Sequence, residues 1–254
     1  MNAAQPPALD NHPTASIAER ISQARSAIEA LALAADREPG AVTLIAVSKK
    51  QPEAAIREAY TAGQRHFGEN YLNEAEPKLA ALHDLPLIWH FIGRIQSNKT
   101  RSLAQHFDWV HTVDRLKIAQ RLSDARARDP GAVPLNLCLQ VNIDDDPNKG
   151  GVAAAGVRAL ADDIVNLPGL RLRGLMTILD PERAPAEGFA SLQTLFDKLA
   201  PDYGWDTLSM GMSGDYDAAI RHGATQVRLG TALFGPRPPA TPNAPETIPA
   251  KGNP

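Results

Sequence analysis

Short apolar runs alternate along this chain with longer segments whose apolar residues recur at helical spacing. The apolar runs contain several β-branched residues, as buried strands do. Helix start or stop signals such as Pro52, Gly63 and Gly223 mark the segments between them. Strands that are apolar along their length and separated by helices predict a parallel sheet covered on both faces. The eight predicted strands are 42–48, 65–69, 87–93, 109–113, 135–143, 170–178, 206–211 and 226–230.

Eight strand–helix units in 254 residues predict a single (β/α)8 barrel, the TIM-barrel fold of the α/β class. An extra N-terminal helix precedes the first unit, and it opens with Ser16 and Glu19 at the spacing of a capping box. Its apolar stripe consists of Ile17, Ile21, Ala24, Ile28 and Leu31. A doubly wound open sheet is the alternative fold. No G-x-G-x-x-G motif follows the first predicted strand, which weakens a dinucleotide-binding interpretation.

The two ends of the chain differ in composition from its middle. Residues 1–13 are rich in Pro, Asn and Ala, and residues 236–254 contain too much proline to build helix or sheet. We therefore expect a flexible N-terminal tail over 1–13, the barrel over 14–235, and a Pro-rich flexible C-terminal tail over 236–254.

Charge and composition narrow the classes of function. The formal net charge of −3 gives no general attraction for nucleic acid or anionic membranes, so any anion site must be local. The single cysteine, Cys138, lies in an apolar run and is expected to be a buried thiol. No apolar segment approaches the ~20 residues of a membrane span, and the N-terminus lacks the features of a secretory signal. We expect a cytoplasmic protein without nucleic-acid or membrane partners.

The ends of the seventh and eighth predicted strands are rich in glycine. The seventh leads through residues 211–215 (GMSGD) into a helix that is expected to begin near Ser213. The eighth leads through residues 229–231 (LGT) into a short helix. Helix N-termini present unpaired N–H groups, and the loops after these two strands form the common phosphate site of such barrels. Ordinary strand–helix turns also favour Gly and Ser, so for either turn alone that alternative stays open.

Two adjacent lysines, Lys49 and Lys50, end the first predicted strand. A partly desolvated lysine amine forms a Schiff base with an aldehyde. Pyridoxal 5′-phosphate (PLP) carries an aldehyde and a phosphate on different sides of its ring, and it therefore needs two separate anchors. Because successive residues of a strand point to opposite faces, only one of the two lysines enters the barrel mouth, and alternation does not say which.

Buried polar positions add further candidates. Arg228, inside the eighth predicted strand, could face the pyridine nitrogen of PLP, disfavour its protonation and weaken the electron sink of most PLP catalysis. The alternative is a buried salt bridge with Glu69 or an aspartate. No His, Asp or Glu cluster has metal-ligand spacing. His90, His106 and His111 are isolated in the sequence, and we expect each to be a hydrogen-bonded structural residue.

Seven stretches of the chain resemble, in order and spacing, the PLP homeostasis protein family. They read LIAVSKKQP, GQRHFGENYLNEA, WHFIGRIQSNK, HFDWVHTVDR, LQVNI, LRGLMTI and LSMGMSGDYDAAIRHGATQVRLGTALFG. The resemblance runs from the first helix to about Gly235. That family is a single (β/α)8 barrel similar to the barrel domain of alanine racemase, among the fold type III PLP proteins. The resemblance implies the same fold here, with PLP as the cofactor.

The resemblance also implies roles for individual residues. The AVSK motif implies that Lys49 carries PLP as a Schiff base, which leaves Lys50 facing solvent. The other implied cofactor-binding residues are Asn70, Met176, Met210, Ser213, Arg228, Gly230 and Thr231. The loop after the fifth strand reads DDDPNKGGV where KSG is usual in the family, although Lys149 is present.

The leading hypothesis is a PLP-binding protein of intracellular PLP (vitamin B6) homeostasis, without strong catalytic activity of its own. We expect a monomer that passes PLP to apo-enzymes that require it. A PLP-dependent amino-acid racemase is the alternative, but barrel racemases take a second base from a separate β domain, and this chain ends after one barrel. A PLP-free enzyme acting on a phosphorylated metabolite would explain the glycine turns but not the lysine.

Overall fold

The protein forms a closed barrel of parallel strands surrounded by helices. The computed structural model describes residues 15–129, 131–147, 149–180 and 184–235. The predicted tails, 1–13 and 236–254, lie outside these residues, so their flexibility stays a prediction. The strands are β1 (Thr43–Val47), β2 (His66–Glu69), β3 (Ile88–Phe91), β4 (Trp109–Val113), β5 (Leu135–Asn142), β6 (Val152–Ala153), β7 (Leu170–Met176), β8 (Thr207–Ser209) and β9 (Gln226–Leu229).

Parallel pairing closes the barrel. Eight strands follow one another in the order β4-β3-β2-β1-β9-β8-β7-β5, and β4 also pairs with β5. The two-residue strand β6 pairs with the end of β5. The predicted (β/α)8 barrel is therefore confirmed. β6 has no counterpart among the predicted strands, because two residues are too few to show a hydrophobic period.

Helices cover the outside of the barrel. They are α1 (Ile17–Ala34), α2 (Glu53–Thr61), α3 (Leu72–Ala81), α4 (Thr100–His106), α5 (Leu116–Arg126), α6 (Val157–Ile164), α7 (Pro185–Tyr203), α8 (Tyr216–Arg221) and α9 (Thr231–Phe234). The extra helix α1 begins with the predicted capping box of Ser16 and Glu19, and it packs against α2, α8 and α9. None of the helices within the described ranges is long and apolar enough to cross a membrane.

Alternate residues of the strands belong to two separate apolar clusters. In β1, Leu44 and Ala46 join the large core that the strands share with the helices. Trp109, Cys138 and Met176, from β4, β5 and β7, form a second small cluster. Cys138 is fully buried there, as its apolar surroundings in the sequence predict. The second cluster is too small to fill a barrel, so buried polar side chains occupy much of the interior.

Candidate functional site

The carboxyl ends of β1, β8 and β9 surround a cavity of about 280 Å³. Lys49, which follows β1, lines this cavity together with Ser213 from the loop after β8. Arg228, Gly230 and Thr231 line it from β9 and the start of α9. Because β9 pairs with β1 where the barrel closes, residues from the two ends of the fold become neighbours. Because five of the predicted cofactor-binding residues line this space, we call it the cofactor cavity.

A tight turn after β1 separates the two lysines. β1 ends at Val47, so the expectation that Lys49 and Lys50 end a strand and alternate along it is wrong. Lys50 has a φ of 61°, in the left-handed region, and its side chain is exposed. Lys49 is half-buried and lines the cofactor cavity. As predicted, one lysine faces the cavity and the other faces solvent. The turn after β1, not strand alternation, separates their side chains.

A buried ionic cluster lies against this turn. Lys78 Nζ donates hydrogen bonds to Glu69 Oε1 and to the backbone oxygen of Ser48, each at 2.9 Å. Ser48 Oγ donates to the same Glu69 oxygen at 2.7 Å. Glu74 accepts from Lys78 Nζ at 3.2 Å and also from the backbone N–H of Lys50. These contacts hold the backbone on both sides of Lys49, so they fix the point from which its amine reaches the cavity.

Burial determines the electrostatics of this cluster. It raises the pKa of the Glu69 carboxyl, while the Lys78 ammonium and the Ser48 hydroxyl act to lower that pKa. The side chain of Glu69 is fully buried, and that of Lys78 is 8% exposed. A buried ion pair of this kind is strongly destabilised when one partner is removed, because the other charge stays buried without compensation.

The loop after β8 depends on a glycine. Gly211 has a φ of 91°, and a Cβ at this position would lie 2.6 Å from the Cβ of Ala219. The Met212 N–H then donates to Asp215 Oδ1 at 2.6 Å, so residues 212–215 form a turn. The helix α8 starts after this turn, and the expected helix start near Ser213 is wrong. Ser213 is exposed at the cavity edge and offers a hydroxyl and turn backbone.

The loop after β9 does lead directly into a helix, as expected. The N–H groups of Leu233 and Phe234 donate to the backbone oxygen of Gly230 at 2.9 and 3.1 Å, which defines the single turn of α9. The first N–H groups of a helix have no partner within it. Thr231 is exposed, so this edge of the cavity is open to solvent. The predicted phosphate site therefore consists of one turn and one helix start, not two helix starts.

Arg228 is a buried cation at the inner wall of the cavity. Its side chain donates from Nη1 to Ser209 Oγ at 2.8 Å and from Nη2 to the backbone oxygen of Thr177 at 2.9 Å. Burial lowers the pKa of the guanidinium to about 10. No carboxylate forms an ion pair with it among the described residues, and Glu69 pairs with Lys78 instead. Within the described residues the alternative, a salt bridge of Arg228 with Glu69 or an aspartate, is therefore wrong, although the charge of Asp215 acts at longer range to raise the pKa of the guanidinium.

Three of the predicted cofactor-binding residues lie away from the lining of this cavity. Asn70 lines a neighbouring cavity of about 250 Å³ together with Arg94. Met176 is fully buried in the small apolar cluster of the barrel. Met210 is fully buried in the large core shared with the helices. Their contacts with a cofactor stay predictions.

Several polar residues of the site were not found by sequence reasoning. Ser209 supports Arg228, and Lys78 supports the turn of Lys49. Ser209 could have been found from strand alternation. It lies between two apolar residues of the seventh predicted strand, so its side chain is expected on the opposite face from theirs. A signal for Lys78 is its position four residues after Glu74 on a helix. The acidic partner Glu69 lies on a strand, and local spacing carries no information about that contact.

The residues of the cofactor cavity fit PLP. Lys49 provides a primary amine, and the backbone around Ser213 and Gly230 provides turns open to an anionic group. A guanidinium has five N–H groups, and the described residues accept from two of those of Arg228. A buried cation without a carboxylate partner is costly, and acceptor atoms of a bound ligand would lower that cost.

Comparison with known proteins agrees with this geometry. Residues 22–238 match the family described as alanine racemase, N-terminal domain. A pyridoxal phosphate homeostasis protein of Pseudomonas aeruginosa is 58% identical over 224 residues, which cover 87% of this chain and 96% of that protein. The protein of the same name from Escherichia coli K12 is 47% identical, with coverage of 87% and 97%. The structure of PipY from Synechococcus elongatus with PLP bound is 42% identical at a TM-score of 0.75, covering 87% of this chain and all of PipY.

Proposed function

This chain belongs to the alanine racemase N-terminal domain family and, within it, to the pyridoxal phosphate homeostasis proteins, and on this premise we propose that it holds PLP for intracellular vitamin B6 homeostasis. The observation that carries the proposal is the convergence of Lys49, Ser213, Arg228 and Gly230 on one cavity. An amine, a buried cation, a turn and a helix start in one place match the separate anchors that PLP needs. PLP-requiring apo-enzymes in the cytoplasm are the proposed recipients.

In this proposal Lys49 holds the cofactor covalently. Its primary amine lines the cavity and is the group that would hold the PLP aldehyde as a Schiff base. Ser213, Gly230 and Thr231 hold the phosphate at the solvent-exposed edge of the cavity. The cluster of Glu69, Lys78 and Ser48 fixes the turn that carries Lys49.

Arg228 favours a carrier over a catalyst. When bound, PLP supplies an electron sink that is strongest with a protonated pyridine nitrogen. A guanidinium placed at that nitrogen opposes its protonation, since two cations repel each other. Arg228 is held in the barrel wall by Ser209 and Thr177 and is fully protonated at neutral pH, because the pKa of its guanidinium is about 10.

A racemase remains the alternative activity, and the composition of the cavity speaks against it. Racemisation needs one base on each face of the substrate. Among the described residues that line the cofactor cavity, Lys49 is the only one with a side chain that ordinarily acts as a base. The exposed positions of Ser213 and Thr231 also leave the cavity open to water, which suits release of a ligand better than control of a carbanion.

The proposal is tested with two single-lysine variants. We expect purified protein loaded with PLP to be yellow, and borohydride reduction followed by peptide mass spectrometry to place the adduct on Lys49. Lys49→Ala should lose the colour and the adduct. Lys50→Ala, whose side chain faces solvent one residue away, is the matched control and should keep both.

Unchanged PLP loading in Lys49→Ala would contradict the assignment of the Schiff base. Rapid racemisation of a common amino acid by the PLP-loaded protein would instead establish that the protein is a racemase. Both assays use the full chain, so the binding and catalytic questions are answered on the same sample.

A further inference from the structure

A chain of buried polar side chains crosses the barrel and ends on Arg228. Arg228 Nη1 lies 2.8 Å from Ser209 Oγ, which lies 2.9 Å from Nδ1 of His111. Nε2 of His111 lies 2.9 Å from Nδ1 of His90, and Nε2 of His90 lies 2.9 Å from Nδ1 of His66. Five residues from β9, β8, β4, β3 and β2 are thus joined by four consecutive hydrogen bonds. We call them the histidine chain.

The histidine chain connects the two ends of the barrel. Arg228 lines the cofactor cavity at the carboxyl ends of the strands. His66 opens β2 and lines a separate cavity of about 350 Å³ at the amino ends of β1 and β2. His90 and His111, between them, are fully buried. His90 and His111, isolated in the sequence, are thus neighbours in the barrel, and both are hydrogen-bonded as predicted.

Burial favours the neutral form of the three imidazoles. Burial lowers the pKa of His66, lowers that of His90 well below its usual value, and lowers that of His111 to about 3 with the help of the Arg228 charge. A neutral imidazole has one N–H donor and one nitrogen acceptor. Each histidine can therefore donate to one neighbour and accept from the other, so the whole chain has a single direction.

Arg228 sets that direction. A guanidinium only donates, so Ser209 Oγ must accept from it. Among the described residues Ser209 Oγ has one other partner, His111, and its hydroxyl proton therefore points to Nδ1 of His111. His111 then carries its proton on Nε2 and donates to His90, which carries its own on Nε2 and donates to His66. All three histidines are thereby assigned the Nε2–H tautomer.

This direction stabilises the buried cation. Every hydroxyl or N–H of the chain points away from Arg228, so each dipole turns its negative end toward the guanidinium. Aligned hydrogen bonds in a low-dielectric interior also strengthen one another. The chain therefore adds to the longer-range charge of Asp215 in compensating Arg228. Within the described residues no carboxylate forms an ion pair with the guanidinium, so its remaining N–H groups can serve a ligand.

We propose that Ser209, His111 and His90 are positioning residues that hold Arg228 charged and oriented toward the cofactor cavity. The direction of the chain follows from this protein's own residues, whereas its consequence for PLP rests on the proposed function. Two measurements test the direction of the chain and its effect on PLP binding separately.

The first measurement needs no cofactor. Two-bond 1H–15N correlation spectra of the PLP-free protein, labelled at histidine, report which ring nitrogen carries the proton. We expect neutral Nε2–H signals from His66, His90 and His111 at neutral pH, with slowly exchanging ring protons for the two fully buried rings. A proton on Nδ1, or on both nitrogens, of His90 or His111 would overturn the proposed direction whether or not the protein binds PLP.

The second measurement is PLP affinity in three variants. Ser209→Ala and His111→Leu remove the support of Arg228 and should weaken PLP binding on the order of tenfold, the effect of losing a hydrogen bond to a charged group. His111→Asn places an amide oxygen where Nδ1 was, keeps an acceptor for Ser209, and should restore most of the affinity. His106→Leu, at an exposed histidine, is the control.

A His111→Leu protein that is less stable but binds PLP like the wild type would overturn the positioning role. Failure of His111→Asn to bind better than His111→Leu would overturn it as well. Absence of PLP binding in the wild type would refute the proposed function and leave the tautomer result standing.

Discussion

At the scale of single residues, Lys78 shows how a charge outside the cavity determines the geometry within it. Its ammonium contacts Glu69, Glu74 and the backbone of Ser48 at once. It thus joins Ser48, which follows β1, to the acidic residues of β2 and α3. The Lys49 turn contains a non-glycine residue, Lys50, in the left-handed region, a conformation that surrounding contacts must hold. The cluster supplies those contacts.

Replacing Lys78 should therefore destabilise the protein strongly. Lys78→Met leaves the fully buried Glu69 without its cation, and we expect a loss of about 3–5 kcal/mol in the free energy of unfolding. Urea denaturation of the PLP-free protein measures this. Arg57→Met is the matched control, because Arg57 forms an exposed pair with Asp84 and its loss should change stability little. Equal effects of the two substitutions would contradict a stabilising role for the buried cluster.

At the scale of elements, the barrel strands carry a polar interior as well as an apolar one. β2, β3 and β4 each contribute a histidine, and β8 and β9 contribute Ser209 and Arg228. The adjacent strands β2, β3 and β4 place the three histidines within hydrogen-bonding distance, and β8 and β9 do the same for Ser209 and Arg228. The contact between His111 and Ser209 crosses the barrel interior. A neutral imidazole chain is stable only while no proton is added to it, and this makes the barrel sensitive to acid.

Stability should fall as the pH decreases below about 6.5. The pKa of His111 is about 3 in the folded protein and near 6.5 in the unfolded chain, so the unfolded state takes up the proton first. The contribution of His111 is complete above the unfolded value and is lost as the pH falls toward the folded one. The expected slope is about 1.4 kcal/mol per pH unit for each such histidine.

Urea unfolding of the wild type and of His111→Asn across this pH window measures that slope. The free energy of unfolding of the variant should depend less steeply on pH, with a slope smaller by about 1.4 kcal/mol per pH unit, the contribution of one histidine. Glu69 acts in the opposite direction, because a raised folded pKa increases stability as pH falls, and it is common to both proteins. Parallel pH profiles of the two proteins would contradict a buried neutral His111.

At the scale of the whole molecule, closure of the barrel creates the site. β9 pairs with β1 from Thr43 to Ala46, and α1 covers this junction by packing against α2, α8 and α9. The amine of Lys49 and the turn at Gly230 come from the two strands that meet there. Cofactor binding therefore links the first and last strands of the barrel. The monomeric state stays a prediction.

PLP should accordingly stabilise the whole fold. At a concentration one hundred times its dissociation constant it should raise the free energy of unfolding by about 2.7 kcal/mol, measured as a concentration-dependent rise in Tm. Pyridoxine 5′-phosphate, which has an alcohol in place of the aldehyde, should give a smaller shift at the same concentration. In Lys49→Ala the two ligands should become equivalent, and Lys50→Ala should behave like the wild type. Equal shifts from both ligands in the wild type would contradict a covalent anchor.

The sequence by itself determined the fold and the outline of the site. Hydrophobic periodicity is a local property, so eight strands and the capping box of α1 could be read directly from it. The order of the strands in such a barrel follows from their order in the chain, which places Lys49 beside the glycine turns after β8 and β9. The family motifs then distinguished Lys49 from Lys50.

Only the tertiary structure decided how these residues are supported. The Lys49–Lys50 turn, the pairing of Glu69 with Lys78 rather than Arg228, and the histidine chain all depend on contacts between different elements of the fold. The sequence pattern around a residue indicates whether it is buried, but not which polar group it contacts across the barrel. Buried polar atoms need hydrogen-bond partners, and closure of the barrel determines which partners come within reach.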